Sequence, residues 1–546
     1  MSLSFPSRPA ATRLRLPAWL AITLLALVYL FVGIAHDPWR GEDVQHIDLI
    51  ARLFQQENWL FPQMAGEAAP AANGPLWYWA SALLTLLLGD WLPFHDAARL
   101  ASPLFVLLAI FHLARAANAL YGEACRTPAA LLAAGTLGLV LPAHTAHPAT
   151  ALLAAFAIAL HGLARLTRRP VTAALQTALG CVLLFLADGL PALLLALPLI
   201  VLLTLLSPPC RGFRISAAGL LALVLTSAAI ALWLVFLYLT EPRALALWWS
   251  ASLQTLHLPW RDELFPGAWL AAAGWQLWPL WPIAGWTVWH NRATLAPASL
   301  LPRAALVLAL GYALFTGGDD LTASLPALIA PCVLLAAASV PSLRRGAANA
   351  FDWFGTMSFS VFAILLGLLW SAANFGWPPG LARSVGRIVP EYTVHPEGWP
   401  AALALVLFLC WMLILRRLPR GSLRGAANWA LGITLMWLLA ATLLMPLFDA
   451  HRNYRPMADS LADTLAPLPT GCIAFINSNP GLLGALDYFA GLRAAPLAAG
   501  DSTACRYLMT RNERAPETLA PEWIEIWRYR FNGGRHLEYF RLYQHR

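Results

Sequence analysis

Apolar segments of about twenty residues recur along nearly the whole chain, each matching the length of helix that crosses the hydrocarbon core of a bilayer. No other feature restricts the fold as strongly, because only helices and closed barrels satisfy their backbone groups in lipid. The segments run over Pro17–Ala35 and then over 75–93, 97–115, 127–143, 148–166, 173–187, 190–207, 215–239, 268–287, 303–317, 321–340, 355–374, 400–417 and 425–446, fourteen candidates in all. With 59% hydrophobic and 12% charged residues in a chain of 546, the composition goes beyond what a water-soluble core requires. An all-α polytopic membrane protein is expected.

Orientation follows from arginine. The chain contains no lysine, so its formal net charge of +8 is carried by arginine. Arginine-bearing turns at Arg211 and Arg214, at Arg292, at Arg344 and Arg345, and at Arg416, Arg417, Arg420 and Arg424 recur at every second loop, which assigns them to the cytoplasm. Residues 1–16, with Arg8, Arg13 and Arg15, are then a cytoplasmic N-terminus and 17–448 the membrane domain. Pro17–Ala35 reads as a retained helix, since His36-Asp37-Pro38 follows it without a small-residue cleavage site. Counting from either end puts the Arg165, Arg168 and Arg169 loop on opposite sides, so one segment between Pro75 and Leu166 must stop short, leaving about thirteen crossings. The basic residues form no concentrated stripe, which excludes a nucleic-acid partner. Most of the 25 tryptophans flank apolar segments, as membrane-interface belts do.

Residues 449–546 depart from this pattern and predict a small α/β domain on the outer side. Strands are expected at 472–477 and 505–510, a helix over Gly481–Ala490, and a hairpin from 523–531 and 536–543 around Asn532-Gly533-Gly534. Cys472 and Cys505 each open a strand in a compartment that would be oxidising, so they form either a disulfide or two buried thiols.

Chemistry is expected in the outward loop 36–74. Glu42 and Asp43 begin an amphipathic helix on which Glu42, Gln45 and His46 share a face. Carboxylates at a helix N-terminus also serve simply as favourable caps, worth about 0.3–1 kcal/mol. His144 and His147 have metal-pair spacing but no third ligand nearby. No cofactor is expected, and a divalent-metal requirement stays open.

The order of residues in this loop carries a resemblance. A tryptophan (Trp39) precedes the acidic pair, then come Ala51-Arg52, Asn58-Trp59-Leu60 with Pro62, Gly66, and Pro75-Leu76-Trp77-Tyr78-Trp79. This resembles the opening of the lipid A aminoarabinose transferases and protein-mannosyltransferase-like enzymes, integral membrane glycosyltransferases of the GT-C class. Ala97-Ala98-Arg99-Leu100, Leu184 to Pro191, Leu325-Pro326 with Pro331, and Arg452 to Pro456 extend it more weakly. The resemblance implies a GT-C-like fold and transfer of a sugar from a polyprenyl-phosphate donor to an outward-facing lipid or glycan acceptor, lipid A-like or another envelope glycan. It also implies a bacterial inner membrane, with the C-terminal domain in the periplasm.

In such enzymes an acid after the first helix deprotonates or positions the acceptor while lysines neutralise the donor phosphate. Glu42 and Asp43 fall on that position and are the expected catalytic pair. The lysines are missing: Asn73-Gly74 stands where the family has Glu-Lys before Pro-Pro-Leu, and Asp188 replaces a lysine before Gly. His147-Pro148-Ala149 replaces Thr-Pro-Asp, and Asp319-Asp320 and Ala323 replace a lysine and a tyrosine. Arg40, Arg52, Arg243, Arg261 or Arg455 would supply the lost charge, arginine holding phosphate through its fork of donors. The expected substrate-binding set is Arg40, His46, Arg52, Asn73, Arg243 and Arg261. One alternative is a catalytically degenerate relative that binds polyprenyl lipid or a partner protein without transfer. An O-antigen-ligase-like transferase and a transporter are the others; the first loop speaks against the former, and the lack of Gly-interrupted half-repeats against the latter.

Overall fold

A computed structural model describes residues 18–56, 59–60, 74–254, 267–292, 296–316, 324–390, 392, 397–498, 501, 503–512, 522–532 and 537–546. The N-terminus 1–16, the first-loop stretch 61–73 with Asn73, Arg261, and Asp319-Asp320 lie outside these residues.

Among the described residues, eight helices are long and apolar enough to cross a bilayer: Phe94–Tyr121, Pro170–Leu206, Phe213–Thr240, Pro297–Thr316, Leu325–Ser342, Arg345–Phe375, Trp399–Arg417 and Ser422–Leu443. Shorter apolar helices, Leu76–Leu88 and Ala149–Ala164, join them, and Ala18–Phe31 occupies the first segment. Length alone therefore accounts for fewer spans than the thirteen expected. The segment 127–143 supplies part of the difference. It forms only Arg126–Ala134, about 14 Å at 1.5 Å per residue, followed by a short 3-10 turn at Leu137–Leu139. The segments 173–187 and 190–207 run on as one stretch, interrupted by non-helical Asp188 and by Gly189 at φ 69. Glycine takes that left-handed conformation without the steric penalty of a Cβ.

Ala149–Ala164 is buried from Thr150 to its end and packs beside Ala101–Tyr121 and Pro170–Ala192. Its alanines permit this, since small side chains let membrane helices approach closely where no hydrophobic driving force separates helix from lipid.

The C-terminal sheet has strands β1 (Ile473–Ile476), β2 (Ala494–Leu497), β3 (Tyr507–Asn512), β4 (Trp523–Asn532) and β5 (Leu537–His545) in the order β2-β1-β3-β5-β4. β1 lies parallel to β2 and β3, while β5 is antiparallel to β3 and β4. Cys472 and Cys505, just ahead of β1 and β3, are joined by a disulfide. The helices Arg455–Leu465 and Pro480–Ala490 cover one face of the sheet, with Met457, Leu461, Leu482 and Leu486 in the core.

The first-loop helix, Glu42–Gln56, joins the two regions. Val44 enters the core of the C-terminal sheet, whereas Ile47, Leu49, Ile50 and Leu53 belong to the core of the bundle. It meets Pro480–Ala490 at a close approach, where a Cβ on Gly481 would lie 2.7 Å from the Gly41 carbonyl oxygen. A helix buried on both sides cannot leave its polar residues unsatisfied without cost.

Candidate active site

The acidic pair divides at once. Asp43 is 4% exposed. Its Oδ1 accepts the Ala146 backbone N–H at 2.6 Å, and its Oδ2 accepts the Trp39 N–H at 2.9 Å. The Arg99 guanidinium forks onto it, Nη2 reaching Oδ2 at 3.2 Å and Nε reaching Oδ1 at 3.4 Å. Burial works to raise the Asp43 carboxyl, but Arg99, His36 and the two backbone N–H groups outweigh it and hold it below the usual carboxylate range.

Arg99 is fully buried and is the site residue that sequence reasoning passed over. Its Nη1 donates to the carbonyls of Ile34 at 2.7 Å and His36 at 3.1 Å and to Asp96 Oδ1 at 3.1 Å. One guanidinium thus fastens the end of the first helix, the first loop and the helix Phe94–Arg99 to Asp43. An arginine and an aspartate at i and i+3 at the head of an apolar span are a readable signal, since each is expensive there unless paired.

Glu42 points the other way. Its side chain is 39% exposed, and His147 Nε2 lies 3.3 Å from its Oε2. His46 is buried one turn further on, with Nδ1 2.9 Å from the Tyr78 hydroxyl. Burial and the neighbouring His147 push the His46 imidazole down to about 3, so it is neutral at ordinary pH. The Gly74 backbone N–H, just ahead of Leu76–Leu88, donates to the Ala187 carbonyl at 3.0 Å, and the adjacent Asp188 carboxylate accepts the Tyr312 hydroxyl. Two acids, two tyrosines and two imidazoles therefore gather at the N-terminal end of Leu76–Leu88.

The arginines expected at the phosphate are spread apart. Arg52 bonds Asp48 at 2.9 Å and also Asp487 of the helix Pro480–Ala490, tying the first loop to the C-terminal region. Arg40 donates its backbone N–H to the Arg452 carbonyl at 2.8 Å, and its guanidinium lies 5.5 Å from the centre of the Phe531 ring. Arg243 is exposed near the start of Pro242–Gln254. Arg455 forks onto Asp37 at 2.6 and 2.8 Å. His144 and His147 part company: His144 stacks on Trp437 and reaches the Tyr29 carbonyl, away from Glu42. Among the described residues no three His, Cys, Asp or Glu side chains converge as a metal site would need.

An apolar cleft of about 960 Å³ is lined by Trp39, Trp278, Phe359, Trp429 and Phe448, with Arg452 also in its wall. Trp39 is the residue whose backbone N–H holds Asp43, so the cleft borders the acidic site.

This architecture, a bundle of apolar helices capped by a small sheet with a carboxylate helix between them, is ArnT-like. The chain superposes on ArnT from Cupriavidus metallidurans bound to undecaprenyl phosphate with a TM-score of 0.64 at 17% identity, covering 97% of this chain and 98% of that one. The apo state of the same protein gives 0.61 at 16%, covering 96% and 97%. No family model matches the sequence, and neither does any curated protein.

Proposed function

We propose that the chain is a membrane glycosyltransferase that moves a sugar from a polyprenyl phosphate to an outward-facing lipid or glycan acceptor, with Glu42 as the group that takes the acceptor's proton. The observation that carries this reading is the contrast within the acidic pair: Asp43 is sealed and fully bonded, whereas Glu42 keeps a partly open carboxylate with His147 beside it. A positioned carboxylate can accept a hydroxyl proton as the acceptor oxygen attacks the sugar. The cleft, within the usual size of ligand sites, suits an apolar chain. That the similar structure holds undecaprenyl phosphate supports a polyprenyl carrier. An inner-membrane location with the sheet domain in the periplasm, and roles for Arg40, His46, Asn73, Arg243 and Arg261 around the substrates, belong to the same proposal.

Comparative mass spectrometry of lipid A and envelope glycans tests it, in a strain lacking the chain and in strains restored with wild type or Glu42→Gln. A sugar-sized mass increment should return with wild type and accumulate about 10²-fold or more slowly with the variant at equal membrane levels. No increment with wild type, or full restoration by the variant, overturns it. A lipid-binding relative without transfer is the second reading, favoured by Arg52 being committed to two carboxylates and by Asp188 standing where a cation was expected. It predicts undecaprenyl phosphate bound by the purified protein with no mass increment in the strain.

A further inference from the structure

Consecutive residues meet consecutive residues beside the acidic pair. Ala146 donates its N–H to Asp43, and the next residue, His147, places Nε2 against Glu42. The backbone of His147 is fixed from both sides, its N–H donating to Ser102 Oγ at 3.1 Å and its carbonyl accepting the Thr150 hydroxyl at 2.7 Å. Ser102 Oγ in turn accepts the Trp77 indole N–H at 3.2 Å. The His147 side chain is 16% exposed, and its Nδ1 is buried without a hydrogen-bond partner.

We infer that His147 is the positioning residue for Glu42, an inference that rests on the transferase reading above. The partners choose the tautomer. Nε2, 3.3 Å from the carboxylate, is the ring nitrogen able to present a proton to it, and Nδ1 then carries a lone pair; a proton on Nδ1 would bury an unpaired donor, which is the costlier arrangement. The ring pins Oε2 of Glu42 and leaves Oε1 for the acceptor. In the transfer, the acceptor oxygen bonds to the anomeric carbon of the sugar. The bond from that carbon to the phosphate oxygen breaks, its electron pair leaving with the polyprenyl phosphate, and the hydroxyl proton passes to Oε1. The carboxylate is the half-open member of the pair and cannot rely on packing for its aim. His147, held by Ser102 and Thr150, supplies the fixed point that the Arg99 network supplies to Asp43.

The test uses the same restored strains, scored by the rate at which the sugar-modified product accumulates at equal membrane levels of protein. His147→Leu, which keeps bulk and removes the donor, should lower the rate about 10- to 100-fold, the loss expected from a misaimed reacting group. His147→Gln, whose side-chain amide can donate to Glu42 from a similar reach, should recover most of it. His147→Leu combined with Glu42→Gln should be no slower than Glu42→Gln alone, because the ring acts only through that carboxylate. A merely structural histidine would lose thermal stability and rate together and would not be rescued by Gln. The inference is overturned if His147→Leu transfers at the wild-type rate, if Gln fails to rescue a folded protein, or if the double variant is slower than Glu42→Gln. If Glu42→Gln itself transfers normally, the role given to Glu42 falls first; if wild type adds no mass increment, the transferase reading does.

Discussion

Glu42 and Asp43 are neighbours in sequence with the same charge, yet the one is half-open beside a mostly buried imidazole and the other is held by a buried guanidinium and two backbone N–H groups. Helical geometry turns adjacent side chains about 100° apart, so one acid faces the junction of first helix, first loop and Phe94–Arg99 while the other faces Leu76–Leu88 and the open end of the bundle. The contrast separates two demands on an active site. A buried, fully paired carboxylate resists reorganisation and is suited to holding a fold. A partly solvated one with an unspent oxygen is suited to exchanging a proton.

The sharpest way to break the contrast is to neutralise Asp43. Asp43→Asn leaves Arg99 buried with part of its charge uncompensated, and removing one partner of such a pair costs about 3–5 kcal/mol. Thermal unfolding in detergent should show a large fall in midpoint, and the variant should accumulate poorly in membranes. A near-native midpoint would show that Asp43 is not the closed partner described here.

Next in size is the contact that presses the first-loop helix onto the C-terminal region. Gly481→Val would place a Cβ against the Gly41 carbonyl, at 2.7 Å before any relaxation, an overpacking cost of about 1–3 kcal/mol. Because that shift moves the segment that leads into Glu42, proteolysis between the sheet domain and the bundle should become faster. An unchanged digestion pattern would mean that the two regions are not coupled through this contact.

A third test uses pH. Burial, opposed by Arg52 and reinforced by the second acid Asp487, pushes the Asp48 carboxyl up to about 7. The folded state then holds a proton that the unfolded chain gives up near 4, so this group's contribution is fully present below about pH 4 and is lost as pH rises towards 7. The slope is at most about 1.4 kcal/mol per pH unit for one proton. Asp48→Asn should flatten the stability profile across that window, and a steeper fall in the variant would contradict the assignment.

How much of this was readable in the sequence depends on how local each interaction is. The helix starting at Glu42, the strands near 473 and 507, the hairpin and the interruption at Asp188-Gly189 all come from patterns within a few residues, and the structure has them. β2 escaped notice because Ala-Ala-Pro-Leu is short and carries a proline, which an edge strand tolerates and a propensity reading rejects. Arg52 looked like a phosphate ligand because its second partner, Asp487, lies 435 residues away. Arg99 was visible only as part of a helix start, since Asp43 is 56 residues upstream. The segment 127–143 has the composition of a span, but hydropathy does not record where helix gives way to turns at Gly135 and Leu137.

The smallest stability effect belongs to Glu42→Gln, and that is what makes it decisive. The side chain is 39% exposed and its partner sits at 3.3 Å, so the contact is a partly solvated polar one, worth about 1 kcal/mol or less. Glutamine keeps the volume and one acceptor oxygen, which lowers the expected change to within about 0.5 kcal/mol. Its amide cannot take a proton, so loss of a positioned base should slow transfer about 10²–10⁴-fold at an unchanged unfolding midpoint. Asp43→Asn predicts the reverse weighting, with a large drop in midpoint and any loss of activity in proportion to the folded protein that remains. Measuring both variants for midpoint and for glycan mass increment therefore asks one question of two adjacent carboxylates. If the two lose stability equally, the environments described here are not distinct. If Glu42→Gln keeps its transfer rate, the open carboxylate is a solvated cap on a helix, and the proton has another destination.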